Sequence, residues 1–172
     1  ILSGLVGSEM CIRDNFTGYI SEGTSFGRPA CNEIISLMES SQGVLWAGTW
    51  YGGLARFNKE TGQFRYYFGE GDTLTIPRIR TLFRRTANSF YLGSDDGLYT
   101  FNTTTGECLP TDDEQNKESI YACYQDREGG IWIGTYFSGV SYLSPKHKDI
   151  EWYYPNGTEN SLSGNVISQF CE

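Results

Sequence analysis

The chain has 172 residues, enough for one domain with a real core, and its 15% aromatic content excludes disorder. Its net charge of −8, with lysines and arginines scattered singly, repels phosphate backbones, so nucleic acid is not an expected partner. No apolar run reaches the roughly 18 residues a membrane span needs, so no membrane contact is expected of this segment.

In chain order, residues 1–14, "ILSGLVGSEMCIRD", lack an initiator Met, a basic n-region and a small-residue cleavage site, so they are not a signal peptide. They resemble the peptide produced when a sequencing adapter is translated, and are expected to be a non-native or disordered leader. Residues 16–33 compare with "DIEWYYPNGTENSLSGN" at 149–165 and read as the closing part of one unit. The first full unit follows, with short strands predicted at about 34–39, 44–50, 53–58 and 63–68. "SSQG" and "KETG" supply its hairpin turns, and "YGG" turns the chain between the second strand and the third. A second unit opens at "IRTLF" (79–83) and a third at "IYACY" (120–124), while "VISQFCE" from 166 begins another.

These units are copies of one another. Trp46, Tyr91 and Trp132 share one position, followed by Gly48, Gly93 and Gly134 and then by a small hydroxyl: Thr49, Ser94 or Thr135. A second glycine recurs as Gly53, Gly97 and Gly139, each before an apolar residue. Downstream, "FNKETGQF" matches "FNTTTGEC". A period of about 43 residues with four short strands per copy indicates a β-propeller. The second strands, "VLWAG" and "IWIG", are apolar at neighbouring positions, as strands covered on both faces require. Trp46 and Trp132 are expected in the core, and the recurring glycines and hydroxyls are read as architecture.

The expected fold is therefore all-β, a propeller fragment of four-stranded antiparallel blades. Full blades are predicted at 34–78, 79–119 and 120–165, with partial ones at 16–33 and 166–172. Three full and two partial blades fall short of a common closed ring, so the remaining blades are the expected partners of residues 16–172.

The pattern "DREGGIWIGT", "SGVSYL", "SLSGNVIS" resembles the two-component regulator propeller repeat, and "IISLMESSQGVLWAGTWYGGLARFNKETGQF" resembles it equally. The middle copy is degenerate, with Tyr91 for Trp and Asp95-Asp96 for a pair of aromatics. The resemblance covers residues 16–172. It implies a ring of seven blades in the periplasmic part of a hybrid two-component histidine kinase sensor, with further sensor domains downstream. It also implies recognition of an oligosaccharide, and leaves room for a homodimer of the parent protein. No kinase, receiver or DNA-binding part lies in this sequence.

In such a blade, with strands a to d from the axis outward, the b–c and d–a loops share one rim. The b–c loops hold Trp50-Tyr51, Asp95-Asp96 and Tyr136-Phe137, rings and carboxylates that suit the apolar faces and hydroxyls of a sugar. These six are the candidate ligand-binding residues. The competing reading is that Trp50 and Tyr136 plug the gaps between blades. Asp126 in "DREGG" is read as capping its own turn rather than holding calcium. Asn15, Asn102 and Asn156 open N-x-S/T triplets that chance supplies readily.

No catalytic set emerges. Asp95 and Asp96 are neighbours expected to point apart, which suits no glycosidase pair. The single histidine, His147, is expected near a c–d turn on the opposite rim. No metal or cofactor is expected, since the five cysteines form no CxxC pair and read as buried free thiols. The alternatives to a sensing module are a protein-interaction scaffold and, behind it, a propeller lyase or glycosidase.

Overall fold

The computed structural model describes residues 17–19, 32–69, 72–76, 78–111, 117–145 and 150–170. Every regular element in these residues that forms a sheet belongs to one of three four-stranded antiparallel meanders. The first holds β1 (Ile34–Glu39), β2 (Leu45–Thr49), β3 (Leu54–Asn58) and β4 (Gln63–Tyr67). The second holds β5 (Ile79–Thr86), β6 (Ser89–Ser94), β7 (Gly97–Asn102) and β8 (Cys108–Pro110). The third holds β9 (Ile120–Gln125), β10 (Ile131–Thr135), β11 (Val140–Leu143) and β12 (Ile150–Tyr153). In each sheet the strands lie in chain order, and the first strands β1, β5 and β9 sit side by side. These are three consecutive propeller blades, and the four strands of the first agree with the expected ones to within a residue or two at each end.

Local chemistry sets the turns. Asn58 and Asn102 each accept two backbone N–H groups through Oδ1, from Glu60 and Thr61 and from Thr104 and Thr105. Such a side chain mimics a turn carbonyl and fixes the c–d hairpin. Asp126 caps the a–b turn of the third blade in the same way: Oδ1 accepts from Glu128 and Gly130 and Oδ2 accepts from the Trp132 indole at 3.1 Å.

The second strands are buried on both faces, as their apolar runs require: Trp46, Ala47, Phe90, Tyr91 and Leu92 are all buried. Between the first two blades Trp46 meets Phe90 and Phe101 edge-on, at 5.3 and 5.4 Å, over a core of Leu54, Ile76, Ile79 and Leu92. Between the second and third, Tyr91, Leu98, Ile120 and Ile133 form the equivalent core. One contact recurs at each step. A Cβ on Gly48 would lie 2.3 Å from the Ile79 carbonyl oxygen, and one on Gly93 would lie 2.7 Å from Ile120 Cγ2. On Gly134 it would meet Ile167 Cγ2, also at 2.7 Å. Each isoleucine occupies a notch that glycine leaves open in the blade before it.

Two expectations need correction. Trp132 is half-buried rather than core, because its ring lies over Tyr142 and Tyr153 on a face that no described strand of a following sheet covers. Cys108 and Cys123 are half-buried free thiols rather than fully buried ones, and burial pushes both up to about 12. Residues 166–170 form no strand, although Ile167 already takes its place on Gly134. The leader 1–14, most of 16–33, and Cys11, Cys31 and Cys171 lie outside the described residues.

The glycine notch makes a sharp prediction. Gly48→Ala should lose about 3 kcal/mol, the upper end of overpacking costs, because the neighbour is a backbone atom that cannot rotate away. Gly106→Ala, which faces open space, should lose only about 1 kcal/mol for its left-handed backbone. Urea unfolding midpoints of the two variants measure the difference, and equal losses would contradict the close approach.

Candidate ligand-binding rim

The rim is built from the hydroxyl that ends each second strand. Thr49 Oγ1 donates to the Gly53 carbonyl at 2.8 Å and accepts the Gly52 N–H at 2.8 Å. Ser94 does the same with Gly97 and Asp96, and Thr135 with Gly139 and Ser138. This closes the b–c turn from inside and leaves the next two side chains on the rim. Backbone bonds then tie these turns to the d–a segments: Trp50 N–H donates to the Glu33 carbonyl and Tyr136 N–H to that of Ser119. Gly139 N–H donates to the Asn165 carbonyl, and Ile167 N–H to that of Thr135. The b–c and d–a loops therefore share one rim.

The six candidate residues do not form a simple ring of rings. All but Asp96 are joined by three residues absent from the sequence-based set, Arg78, Arg80 and Tyr121. The Arg78 guanidinium lies 4.7 Å from the Trp50 ring centroid and 5.6 Å from that of Tyr51. Arg80 lies between Trp50, at 5.0 Å, and Tyr121, at 4.1 Å. Tyr121 stacks on Tyr136 at 5.0 Å and 27°, and Tyr136 meets Phe137 edge-on at 4.5 Å. The result is an unbroken cation–aromatic ladder across three blades, Tyr51, Arg78, Trp50, Arg80, Tyr121, Tyr136 and Phe137 in order. Each cation–ring contact contributes about 0.5–2 kcal/mol depending on its exposure.

Asp95 anchors the middle of the ladder. Its Oδ2 accepts from Arg78 Nη1 at 2.7 Å, and its Oδ1 accepts from Arg80 Nε at 2.5 Å and Ser119 Oγ at 3.1 Å. Burial alone would raise its pKa, but Arg80, Ser119 and Arg78 together outweigh that and hold it below the ordinary value of 3.8. Asp95 is thus ionised at neutral pH and poorly suited to donate a proton. Asp96 is exposed and its charge acts on Tyr99, so the two aspartates have separate surroundings. Glu118 accepts a short hydrogen bond from Ser138 Oγ.

The rings divide by exposure. Trp50 is half-buried between its own blade and the arginines of the next, as the interblade reading expects. Tyr51 and Phe137 are 59% and 68% exposed, and Tyr136 36%. A signal for the arginines was present in "PRIR": residues two apart on a strand share a face, so Arg78 and Arg80 point together while Ile79 enters the Gly48 notch.

A cavity of about 560 Å³ lies elsewhere, on the third blade, lined by Tyr124, Trp132, Val140, Tyr153, Tyr154 and Leu162 among others. By the repeat these correspond to Met38, Trp46, Leu54, Tyr67, Phe68 and Leu74. In the first blade that surface packs on Phe90, Leu92 and Phe101. Its lining is blade-packing surface. His147 lies outside the described residues, as do Asn15 and residues 112–116 of the acidic "TDDEQNKE" segment.

A family profile described as two component regulator propeller matches residues 29–51 and 114–137. The first range holds β1, β2 and the Trp50-Tyr51 loop, and the second holds β9, β10 and the Tyr136-Phe137 loop. No curated protein matches the chain. Among solved structures it is similar to the extracellular domain of BT4673 from B. thetaiotaomicron, assigned as a one component system. That match has a TM-score of 0.66 and 20% identity over 80% of this chain and 18% of that one. It is also similar to the extracellular domain of BT3049 from B. thetaiotaomicron, assigned as a hybrid two component system. Here the TM-score is 0.55, with 16% identity over 92% of this chain and 27% of that one. A streptogramin B lyase matches with a TM-score of 0.52 and 12% identity, over 76% of this chain and 43% of the enzyme. At these identities the likeness is one of fold, and the chain spans between 18% and 43% of the length of these proteins.

The Asp95 clamp has a pH signature. Because the folded pKa lies below 3.8, the stabilisation is complete above that value and is lost as pH falls through the lower folded one. Trp50 emission, taken as the difference from a Trp50→Phe protein, should therefore change as the pH falls below 3.8. Asp95→Asn should shift that emission at pH 7 and flatten the acid transition at Trp50. Asp126, held low by its turn amides and the Trp132 indole despite opposing burial, and Glu39, held low by Lys59, titrate apart from this clamp. An acid transition at Trp50 unchanged by Asp95→Asn would contradict the clamp.

Proposed function

We propose, since a two-component regulator propeller profile matches residues 29–51 and 114–137, that the chain is the ligand-sensing part of an extracytoplasmic two-component sensor and holds an oligosaccharide on its b–c rim. The parent sensor is placed in the periplasm on this reading, with the remaining blades and downstream domains as its structural partners and a homodimer as its assembly. The observation that carries the proposal is the exposure of Tyr51, Tyr136 and Phe137 on one rim, joined through a fixed cation–aromatic ladder. Sugar CH faces stack on such rings, and guanidinium N–H groups donate to hydroxyls. The similarity in fold to extracellular domains assigned to one- and two-component systems supports the same placement. Among the described residues no helix is long and apolar enough to cross a membrane.

The test uses the two most exposed rings, whose loss leaves the ladder between Arg78 and Tyr136 in place. Tyr51→Ala combined with Phe137→Ala should weaken oligosaccharide binding at least about fivefold, from two stacking contacts of about 0.5–1.5 kcal/mol each. A panel of neutral and acidic oligosaccharides, titrated by calorimetry with circular dichroism as the control for folding, reads the effect. Unchanged affinity for every sugar that binds would remove the rim from the site.

A further inference from the structure

The three copies of the rim are not equivalent, and their difference is concentrated in one blade. After the turn hydroxyl, the first blade places Trp50 and the third Tyr136, but the second places Asp95. Two residues past the d–a loop, the first strand carries Ile35 in the first blade and Tyr121 in the third, but Arg80 in the second. Two residues before it stand Glu33, Arg78 and Ser119 in order. The second blade has thus exchanged an aromatic and an apolar residue for a carboxylate and a guanidinium that bond each other, with a second guanidinium beside them.

The exchange leaves positive charge unspent. Two guanidiniums face one carboxylate, and Asp95 already receives three donors on its two oxygens. An arginine carries five N–H donors. Among the described residues Arg80 gives only its Nε–H, and Arg78 gives Nη1 to Asp95 while standing close to the Tyr51 hydroxyl. Among the described residues neither leaves a fully buried nitrogen without a partner. The Arg78 side chain is 33% exposed and that of Arg80 12%, which puts Arg78 at the surface and Arg80 behind it. Of the other carboxylates on this rim, Glu118 is bonded by Ser138 and Asp72 accepts from the Gly69 N–H, while Glu33 and Asp96 are exposed. The rings on both sides hold the guanidiniums flat and reduce the entropy lost when an anion arrives.

We propose that the rim reads an acidic sugar, with the guanidinium of Arg78 taking its carboxylate or sulfate group while Tyr51 carries the ring beside it. Arg80 and Asp95 are positioning residues that set the plane of Arg78. This rests on the rim being the sugar site, and it adds the charge class of the ligand and the residue that selects it.

The experiment titrates the full chain with three probes and follows the Trp50 component of fluorescence, since Trp50 lies against both guanidiniums. The probes are trigalacturonate, its methyl ester, and a sulfated disaccharide. The acidic probes should bind at least tenfold more tightly than the ester, the low end of what charge-assisted hydrogen bonds contribute, and this margin should shrink with added salt. Arg78→Gln should abolish the margin, so that acid and ester bind the variant equally whatever its overall affinity, and Arg78→Lys should keep part of it, since lysine keeps the charge but loses the planar fork. Preference for the carboxylate or for the sulfate probe identifies the source of the acid group, and either supports the inference. Equal affinity for acid and ester would overturn the acidic assignment and leave the rim standing as a neutral-sugar site. No response of Trp50 to any of the probes, with the circular dichroism of a folded chain, would overturn both readings.

Discussion

The structure depends on an isoleucine entering a space that only glycine leaves open. Ile79 on Gly48, Ile120 on Gly93 and Ile167 on Gly134 repeat one contact at each step from blade to blade. The second strand of one sheet can approach the first strand of the next to within van der Waals distance of its backbone only where no Cβ intervenes. That approach sets the spacing and angle between sheets. It also explains the irregular pairing at the start of each first strand: the register shifts between Ile34 and Ser36, between Ile79 and Thr81, and at Thr135 beside Ile120. The strand is bent where it must feed an isoleucine sideways into the preceding blade.

With the spacing fixed, the rim follows. The turn hydroxyl sits one residue past the notch glycine, so the loops it closes are carried at a constant offset from the blade contact. Side chains on successive loops then fall close enough for an arginine of one blade to lie between a ring of the blade before and a ring of the blade after. Arg80 does this with Trp50 and Tyr121, and it can do so only because its neighbour Ile79 is locked in the Gly48 notch. The electrostatics of the rim are thus set by the packing of the core. A carboxylate at position 95 is stable in a half-buried site because two guanidiniums and a hydroxyl reach it.

Most of the architecture was legible in the sequence because a repeat states it three times. The spacing of Trp46, Tyr91 and Trp132, the paired glycines and the short apolar strands indicated four-stranded blades and, in the first of them, the strand bounds to within a residue or two. Trp132 was misjudged for a physical reason: burial of a blade face belongs to two sheets at once, and a pattern within one copy says nothing about the sheet opposite. The rim was partly legible. Exposure of Tyr51 and Phe137 follows from loop position alone. Arg78 and Arg80 were missed because alignment of the copies emphasises what they share, and these residues stand where the copies differ. The ion pairs also join residues 15 and 17 apart in sequence through a turn and a register shift, which no local pattern encodes.

In a repeat fold the residues common to all copies are held by the geometry every copy must satisfy, here the notch glycine, its isoleucine and the turn hydroxyl. Those positions cannot distinguish one ligand from another, because a change at any of them disturbs a blade contact. Chemical information must then sit where a copy departs from its siblings and the departure is compensated locally. Asp95 with Arg78 and Arg80 meets both conditions: three departures in one blade, bonded to one another. The profile matches fall on the first and third copies, while the charged set occupies the copy between them. The degenerate blade is thus the one whose side chains set the chemistry of the rim, and its flanking regular blades supply the aromatic walls that hold it in place.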